Sequence, residues 1–231
     1  MNVHRHLFFD LDHTLWDFER SSTETLSELF YEYEIGSLRK ITFEEFLVSF
    51  KKINSELWHL YDHNQITKDY LRNKRFHLIF DHLGIDPKLV PSNMSQIYLA
   101  RCPQKPYLIE HSLEVLEHLS QNYMLHIVTN GFKEVQGVKL KSANISHYFN
   151  CVITSECSGH KKPSKEIFTY ALELTGAQLK EAVMIGDNLA TDIKGAQAAG
   201  MDCIFFNPER IAHNEKLFKE ITTLIELKNI Y

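Results

Sequence analysis

The sequence predicts an α/β protein whose Rossmann-like core is a doubly wound parallel sheet, with an all-helical domain inserted near its start. One apolar run near the N-terminus and four more after residue 106 alternate with helical periods, which is typical of strands joined by helical crossovers. The stretch between them has helical periods and no convincing strand. We therefore predict a core domain of residues 1–16 and 103–231 and a helical cap domain of residues 17–102.

The first predicted strand covers residues 6–11 and ends in two acidic side chains. Its continuous apolar run, LFF, is typical of a parallel strand that is covered on both faces. Asp10 and Asp12 follow where this strand ends. Ligands of open parallel sheets bind in the crevice beyond the carboxyl ends of the strands, so these carboxylates indicate chemistry rather than packing.

The inserted segment is predicted to hold four helices and to lie above the crevice as a cap. Apolar residues recur at helical spacing from Phe43 to Tyr61. Further helix starts are indicated at Thr67, at Asp86 because a proline follows it, and near Ser92.

The rest of the chain repeats a strand and helix scheme up to its end. The predicted elements are, in order, a helix over 109–123, a strand over 125–130, a helix over 133–143, a strand over 151–156, a helix over 164–175, a strand over 182–187, a helix over 192–200, a strand over 202–207 and a last amphipathic helix over 217–227.

Charge and composition exclude several classes of protein. The formal net charge of −5 argues against a nucleic-acid or anionic-membrane surface, since both favour a basic stripe. No apolar run approaches the roughly 18 residues of a membrane span, and the start MNVHRH lacks the apolar region of a signal peptide, so we expect a cytoplasmic protein. The four cysteines show no CxxC spacing and are interpreted as reduced and structural.

Polar side chains follow four of the predicted strands and would face one crevice. Several carboxylates close together repel one another unless a cation lies between them, and hard oxygen ligands suit Mg²⁺, so the pattern predicts a magnesium site. The residues are Asp10 and Asp12 after the first strand, Thr129, Asn130 and Gly131 after the second, Lys162 in the loop after the third, and Asp187 with Asp192 after the fourth.

The segments DLDHT, TNG, KKP…IF and GDNLATD resemble, in order and spacing, the four motifs of the haloacid dehalogenase (HAD) superfamily. The resemblance implies that Asp10 is a nucleophile that forms an aspartyl phosphate and that Asp12 is the general acid and base. It implies that Thr129 and Lys162 bind the transferring phosphoryl group. Asp187 is the implied Mg²⁺ ligand.

The metal set predicted from sequence contains four carboxylates, and one of them has two possible roles. Asp192 either binds the metal directly or orients the site through hydrogen bonds. The predicted metal residues are Asp10, Asp12, Asp187 and Asp192.

The aspartate at position 12 also separates subgroups of the superfamily. Its dehalogenases and ion-pumping ATPases lack an aspartate there, whereas phosphatases and phosphomutases have one. Three further segments, TNGFKEVQGVKL, KKPSKEIF and FFNPER, resemble the pyrimidine 5′-nucleotidase branch, and the helical insertion resembles the C1 type of cap. Lys165 departs from the branch, whose members often carry a second proline there.

Four residues are candidates for contacting the rest of the substrate. Asn130 and Gly131 continue the second motif. Trp16 follows the first motif, where its ring could stack on a base or simply pack in the core, and Asp17 beside it could contact a sugar hydroxyl.

The sequence thus predicts a Mg²⁺-dependent phosphomonoesterase for a small-molecule phosphate ester, most simply a nucleoside 5′-monophosphatase that prefers pyrimidines. One alternative is a sugar-phosphate phosphatase or a phosphomutase, for which basic cap residues such as Arg72, Lys74 and Arg75 would face the site or form a solvated face. Another is a non-catalytic binding protein on the same fold. The oligomeric state is not predicted.

Overall fold

The computed structural model of the protein describes residues 4–231. The described chain forms two compact units. The core unit contains the residues up to Phe18 together with Pro106–Tyr231, and the helical unit is Glu19–Lys105.

The core unit is built on a parallel sheet, which confirms the predicted fold class. The order in the sheet is β3-β2-β1-β4-β5-β6, with all neighbouring strands parallel. Strand β1 is central, and the chain passes to the opposite side of it after β3, as in a doubly wound fold. The strands are β1 (His6–Phe9), β2 (Met124–Thr129), β3 (Phe149–Thr154), β4 (Ala182–Gly186), β5 (Asp202–Phe206) and β6 (Lys219–Ile221).

The continuous apolar runs of the sequence are the strands that the sheet buries most deeply. All residues of β1 and β4 are buried. Phe8 of β1 lies in a hydrophobic cluster with Met184 of β4 and with Ile167 and Phe168 from the helix over 165–175. Helices therefore cover the sheet, as a parallel sheet requires.

The helices of the two units follow the predicted order, with shorter bounds in the core. Among residues 4–231 they are α1 (Phe18–Glu32), α2 (Ile35–Arg39), α3 (Phe43–Asp62), α4 (Lys68–His82), α5 (Met94–Arg101), α6 (Ser112–Leu119), α7 (Lys133–Ser142), α8 (Ser155–Ser158), α9 (Lys165–Thr175), α10 (Lys194–Ala198) and α11 (Leu227–Ile230).

The predicted last helix over 217–227 is wrong. Residues 219–221 instead form β6, which pairs with β5 from Ile204 to Phe206. The Glu226 carboxylate then accepts hydrogen bonds from the backbone of Thr222 and Thr223 and so caps the start of a short 3₁₀ helix, Leu224–Glu226. Without this segment β5 would be an edge strand with unpaired backbone groups, so the sheet edge outweighs the helical period of the sequence.

The helical unit has five α-helices where the sequence predicts four. Thr42 caps α3 and forms a capping box with Glu45, and Thr67 caps α4 as predicted. Pro87 begins only a short 3₁₀ helix, capped by Asp86. None of the helices among residues 4–231 is long and apolar enough to cross a membrane.

Arg75 lies in the interior of the helical unit rather than on a solvated face. Only 4% of its surface is exposed, and its guanidinium carbon is 5.3 Å from the ring centroid of Tyr98 and 5.9 Å from that of Phe50. Burial lowers the pKa of Arg75. The expectation that it belongs to an exposed basic face is therefore corrected.

Candidate active site

The strand order brings the polar strand ends together at one edge of the sheet. The backbone N–H of Asp10 donates to the carbonyl of Ile185, at 2.9 Å, so the chain leaves β1 alongside the end of β4. Strand β2 flanks β1 on the other side, which brings Thr129 to the same edge. The order of strands reverses at β1, and such a switch point is where open α/β sheets bind ligands.

Three carboxylates meet at this edge. One oxygen each of Asp10, Asp187 and Asp192 can be chosen so that all lie within 4.8 Å of one another. Lys162 Nζ lies 2.6 Å from Asp10 Oδ1 and 2.6 Å from Asp192 Oδ1. It also donates to the carbonyl of Val128, at 2.9 Å. One ammonium group thus faces three acids in a buried site.

The crowding of acids and their burial alter the ionisation of the cluster. Burial raises the pKa of Asp10 to about 8, with Lys162 opposing the rise and the other two acids adding to it. Burial and then the charge of Asp192 raise the pKa of Asp187 to about 7. Burial by itself would lower the pKa of Lys162, but the Asp10 and Asp192 charges raise it above its ordinary value.

The donor set fits a hard divalent cation. With all three acids ionised, Lys162 leaves two negative charges unbalanced, which is the charge of one Mg²⁺ ion. Carboxylate oxygens are the ligands that Mg²⁺ prefers, and it is commonly bound through one or two of them. Asp10 and Asp187 are the residues that would hold it, because Asp192 already accepts hydrogen bonds on both of its oxygens.

Asp12 is not one of the three clustered carboxylates, and its role as a metal ligand stays a prediction. Its carboxylate instead accepts hydrogen bonds from Lys139 Nζ, at 2.6 and 2.7 Å, and from Gln136 Nε2, at 3.2 Å. Both donors lie on α7, three residues apart, and so share one face of the helix. The Asp12 side chain is drawn towards them.

Asp192 is oriented from the end of β4. It lies in a π-helical turn, Leu189–Ile193, and is completely buried. The backbone N–H of Asn188 donates to its Oδ2, at 3.0 Å. A β-carbon at Gly186 would collide with this carboxylate, so the glycine makes room for it.

Thr14 is a site residue to which sequence reasoning assigned no role. Its hydroxyl donates to Asp187 Oδ1, at 2.7 Å, and accepts from the backbone N–H of Asp187, at 3.1 Å. The signal was present in the first motif, DLDHT, where the threonine follows Asp12 by two residues. Thr14 thus orients an acid from the far end of the chain.

Asn130 holds the loop that carries Lys162, and its contact with a substrate stays a prediction. Its Nδ2 donates to the Lys162 carbonyl, at 2.9 Å, and its Oδ1 accepts from the Lys162 N–H, at 2.7 Å. The Thr129 hydroxyl accepts from the Gly131 N–H, at 3.0 Å. Gly131 leaves room for Gln136, since a β-carbon there would collide with the Gln136 amide.

Trp16 is fully buried, which favours packing in the core over stacking on a base, the two roles that the sequence leaves open. Lys139 Nζ lies 4.5 Å from its ring centroid and covers one face. Asp17 beside it is half-buried, and its backbone N–H donates to the Tyr107 carbonyl, at 3.0 Å. Its contact with a sugar hydroxyl stays a prediction.

Gln136 and Lys139 are two further site residues that sequence reasoning missed. Both belong to the quoted segment TNGFKEVQGVKL, but they were interpreted only as part of a resemblance. The available signal was their spacing, because polar residues three apart share one face of a helix that begins at the site. In the structure that face is buried against Asp12.

Known proteins of similar sequence cover the whole chain. The family model for haloacid dehalogenase-like hydrolases matches residues 7–206. The HAD-hydrolase YfnB of Bacillus subtilis is 30% identical over 233 residues, which span 100% of this chain and 96% of YfnB. Its crystal structure, described as bound to magnesium, matches with a TM-score of 0.87 over 98% of both chains.

Two further relatives have named activities. The pyrimidine 5′-nucleotidase YjjG of Escherichia coli is 31% identical over 89% of this chain and 90% of its own. The glyceraldehyde 3-phosphate phosphatase of Pyrococcus furiosus is 28% identical over 93% of this chain and 85% of its own. The family model spans all four strands whose ends carry the polar site residues, and the match to YfnB covers the full chain. This protein therefore belongs to the haloacid dehalogenase-like hydrolases.

Proposed function

We propose that this protein is a Mg²⁺-dependent phosphomonoesterase that acts through an aspartyl phosphate on Asp10, and that it prefers pyrimidine nucleoside 5′-monophosphates. The observation that carries the proposal is the division of the acids into two groups. Asp10 lies in a buried cluster with a cation of its own, whereas Asp12 is held separately by Lys139. A nucleophile and a separate proton carrier are what two-step phosphate transfer needs.

Each acid has a distinct task in the proposed reaction. A carboxylate oxygen of Asp10 attacks phosphorus, and the bond from phosphorus to the leaving oxygen breaks. Asp12 gives its proton to that oxygen, so the alcohol leaves neutral. A water molecule then attacks the phosphorus of the aspartyl phosphate, Asp12 takes a proton from the water, and inorganic phosphate and free Asp10 are released.

Positive charge makes attack by a carboxylate on an anionic phosphate feasible. Lys162 Nζ, 2.6 Å from Asp10, lies where it can neutralise charge on the phosphoryl oxygens, and Thr129 is the second phosphoryl-binding residue. Bound at Asp10 and Asp187, Mg²⁺ would supply further electrostatic stabilisation of the transferring group. Asp192 keeps Lys162 in place through its 2.6 Å ion pair.

The preference for pyrimidine nucleotides is supported by the likeness to the E. coli pyrimidine 5′-nucleotidase and by the segments that resemble that branch. A second candidate, a sugar-phosphate or triose-phosphate phosphatase, is favoured by the likeness to the Pyrococcus furiosus enzyme. The phosphate is common to both classes, so discrimination depends on how the remainder of each substrate is bound in the transition state.

A phosphate-release screen tests these alternatives on one preparation. We expect kcat/KM to be higher for dUMP, UMP or dTMP than for dAMP, glucose 6-phosphate or glyceraldehyde 3-phosphate, and activity to vanish in excess EDTA and return with Mg²⁺. Glyceraldehyde 3-phosphate or glucose 6-phosphate matching dUMP would replace the nucleotidase proposal with a sugar-phosphate phosphatase. No release from any ester would favour the non-catalytic binding protein.

A further inference from the structure

The buried polar side chains of α7 both contact one carboxylate, that of Asp12. Lys139 and Gln136 are 5% and 1% exposed, and both donate to Asp12. Lys139 contacts both Asp12 oxygens and Gln136 contacts one of them, so three hydrogen-bond contacts from α7 hold the carboxylate. The collision that any side chain at Gly131 would cause with Gln136 indicates a tight fit around the same contact.

Lys139 also has a second partner, the ring of Trp16. Its ammonium lies 4.5 Å from the ring centroid, within the range of a cation–π interaction. Trp16 itself is completely buried. The three side chains form a series in which the ring supports the ammonium and the ammonium holds the carboxylate.

We propose that Lys139 is a positioning residue, which holds Asp12 in the orientation from which it exchanges protons with the leaving oxygen and the attacking water. The inference rests on the proposed function above. Trp16 has a supporting part, because its ring lies against the Lys139 ammonium and holds it beside Asp12.

A purely structural ion pair explains these contacts less well. Ion pairs between solvent-exposed side chains contribute little to the stability of the fold. Here the Lys139 side chain is 7% exposed, while the Asp12 side chain keeps 23% of its surface accessible. The cation is thus the buried partner, and the acid is the one left open to a ligand.

The test measures kcat and KM for two substrates with different leaving groups in Lys139→Met, which keeps the length of the side chain and removes its charge. The substrates are the best nucleotide of the screen and p-nitrophenyl phosphate, whose leaving group needs little protonation. We expect kcat/KM, which reports the steps up to departure of the leaving group, to fall by about tenfold to a hundredfold for the nucleotide and by less than about threefold for the aryl phosphate. Lys139→Arg should recover part of the loss.

A double-mutant cycle separates action through Asp12 from an independent effect. In the Asp12→Asn background, Lys139→Met should change kcat by less than about twofold, because the residue that it positions has already lost its function. Losses that multiply in the double variant, or an equal loss of kcat/KM with both substrates, would overturn the proposal. Lys141→Met is the matched control, since Lys141 is exposed on the same helix.

A crystal structure of Lys139→Met tests the positioning without reference to activity. We expect the Asp12 carboxylate to leave its present position. An unmoved carboxylate would contradict the inference even if the enzyme is a phosphatase. Conversely, a displaced carboxylate in a protein that releases no phosphate would refute the proposed function and leave the positioning contact established.

Discussion

Three acids around one ammonium group define the chemistry of the site at the scale of single residues. The pKa of Asp10, raised to about 8 by burial, shows that the fold disfavours its charged form without a further cation. Lys162 is shared between Asp10 and Asp192, so it cannot balance the whole cluster. The arrangement is therefore organised for an additional positive charge rather than for maximal stability.

Asp10→Asn tests the nucleophile. We expect phosphate release to fall by at least about a thousandfold, because an amide cannot form the acyl phosphate. The melting temperature should stay the same or rise, since one buried charge is removed. Activity assays and thermal unfolding of the same preparation check both parts, with Asp81→Asn, an exposed acid, as the control. Near wild-type turnover with an unchanged melting temperature would refute covalent catalysis by Asp10.

Asp187→Asn tests the metal assignment. We expect the Mg²⁺ dissociation constant, measured by calorimetry, to rise by at least about tenfold, because an anionic ligand is lost from a site with few of them. Asp12→Asn is the matched control and should alter Mg²⁺ affinity little, since its carboxylate faces Lys139. The reverse ranking of the two variants would show that the metal binds elsewhere.

At the scale of elements, the last residue of β4 and the turn after it decide where Asp192 lies. Gly186 ends the strand, and the π-helical turn over Leu189–Ile193 folds the acid back against it. In a regular α-helix the Asp192 side chain would point in a different direction around the helix axis. Such π-helical turns are frequent at functional sites. The backbone, not the acid alone, therefore builds this part of the cluster.

Gly186→Ala tests this dependence on the backbone. The added methyl group would collide with the Asp192 carboxylate, which must then move away from Lys162. We expect a loss of turnover of about tenfold or more, together with destabilisation of about 1–3 kcal/mol in urea unfolding. The control is Gly137→Ala at an exposed position of α7, where the new β-carbon meets nothing within 4 Å and stability should rise by up to about 1 kcal/mol. Equal behaviour of both variants would contradict the packing argument.

For the whole molecule, a buried histidine pair between the central strands links stability to pH. His6 Nδ1 and His126 Nε2 are 3.1 Å apart, and the His126 ring stacks on Phe8 at a centroid distance of 4.7 Å. Burial, with a smaller contribution from His6, lowers the pKa of His126 to about 4. Burial likewise lowers the pKa of His6. Both rings are therefore neutral in the folded protein at neutral pH.

Below pH 6.5 these histidines bind protons in the unfolded chain more readily than in the folded protein, because burial lowers their pKa. Their contribution to stability is complete above pH 6.5, the ordinary histidine value, and is lost as the pH falls towards 4. We expect His126 to reduce the free energy of unfolding by up to about 2 kcal/mol between pH 7.5 and pH 5. Urea unfolding at both pH values should show a smaller difference for His126→Gln. An identical difference in the variant would refute the assignment.

The strand ends show how much of this protein the sequence by itself determines. Buried parallel strands can be recognised from the local sequence by their continuous apolar runs. Because the strands are parallel, the polar residues that follow them lie at one edge of the sheet. The cluster of Asp10, Asp187, Asp192 and Lys162 was thus predictable without a structure. The helix predicted from the apolar period over 217–227 was wrong, because residues 219–221 pair with β5, and such pairing cannot be recognised from the local sequence.

Only the tertiary structure decided which way the neighbouring side chains face. Asp12 is two residues from Asp10, yet it turns to Lys139, 127 residues away in the chain, and Trp16 is buried beneath that lysine rather than open to a base. The Asn130 side-chain amide forms hydrogen bonds with the backbone of Lys162. The physical reason is that residue type and spacing fix where a side chain starts, whereas its direction depends on charged and aromatic partners that folding brings from distant segments.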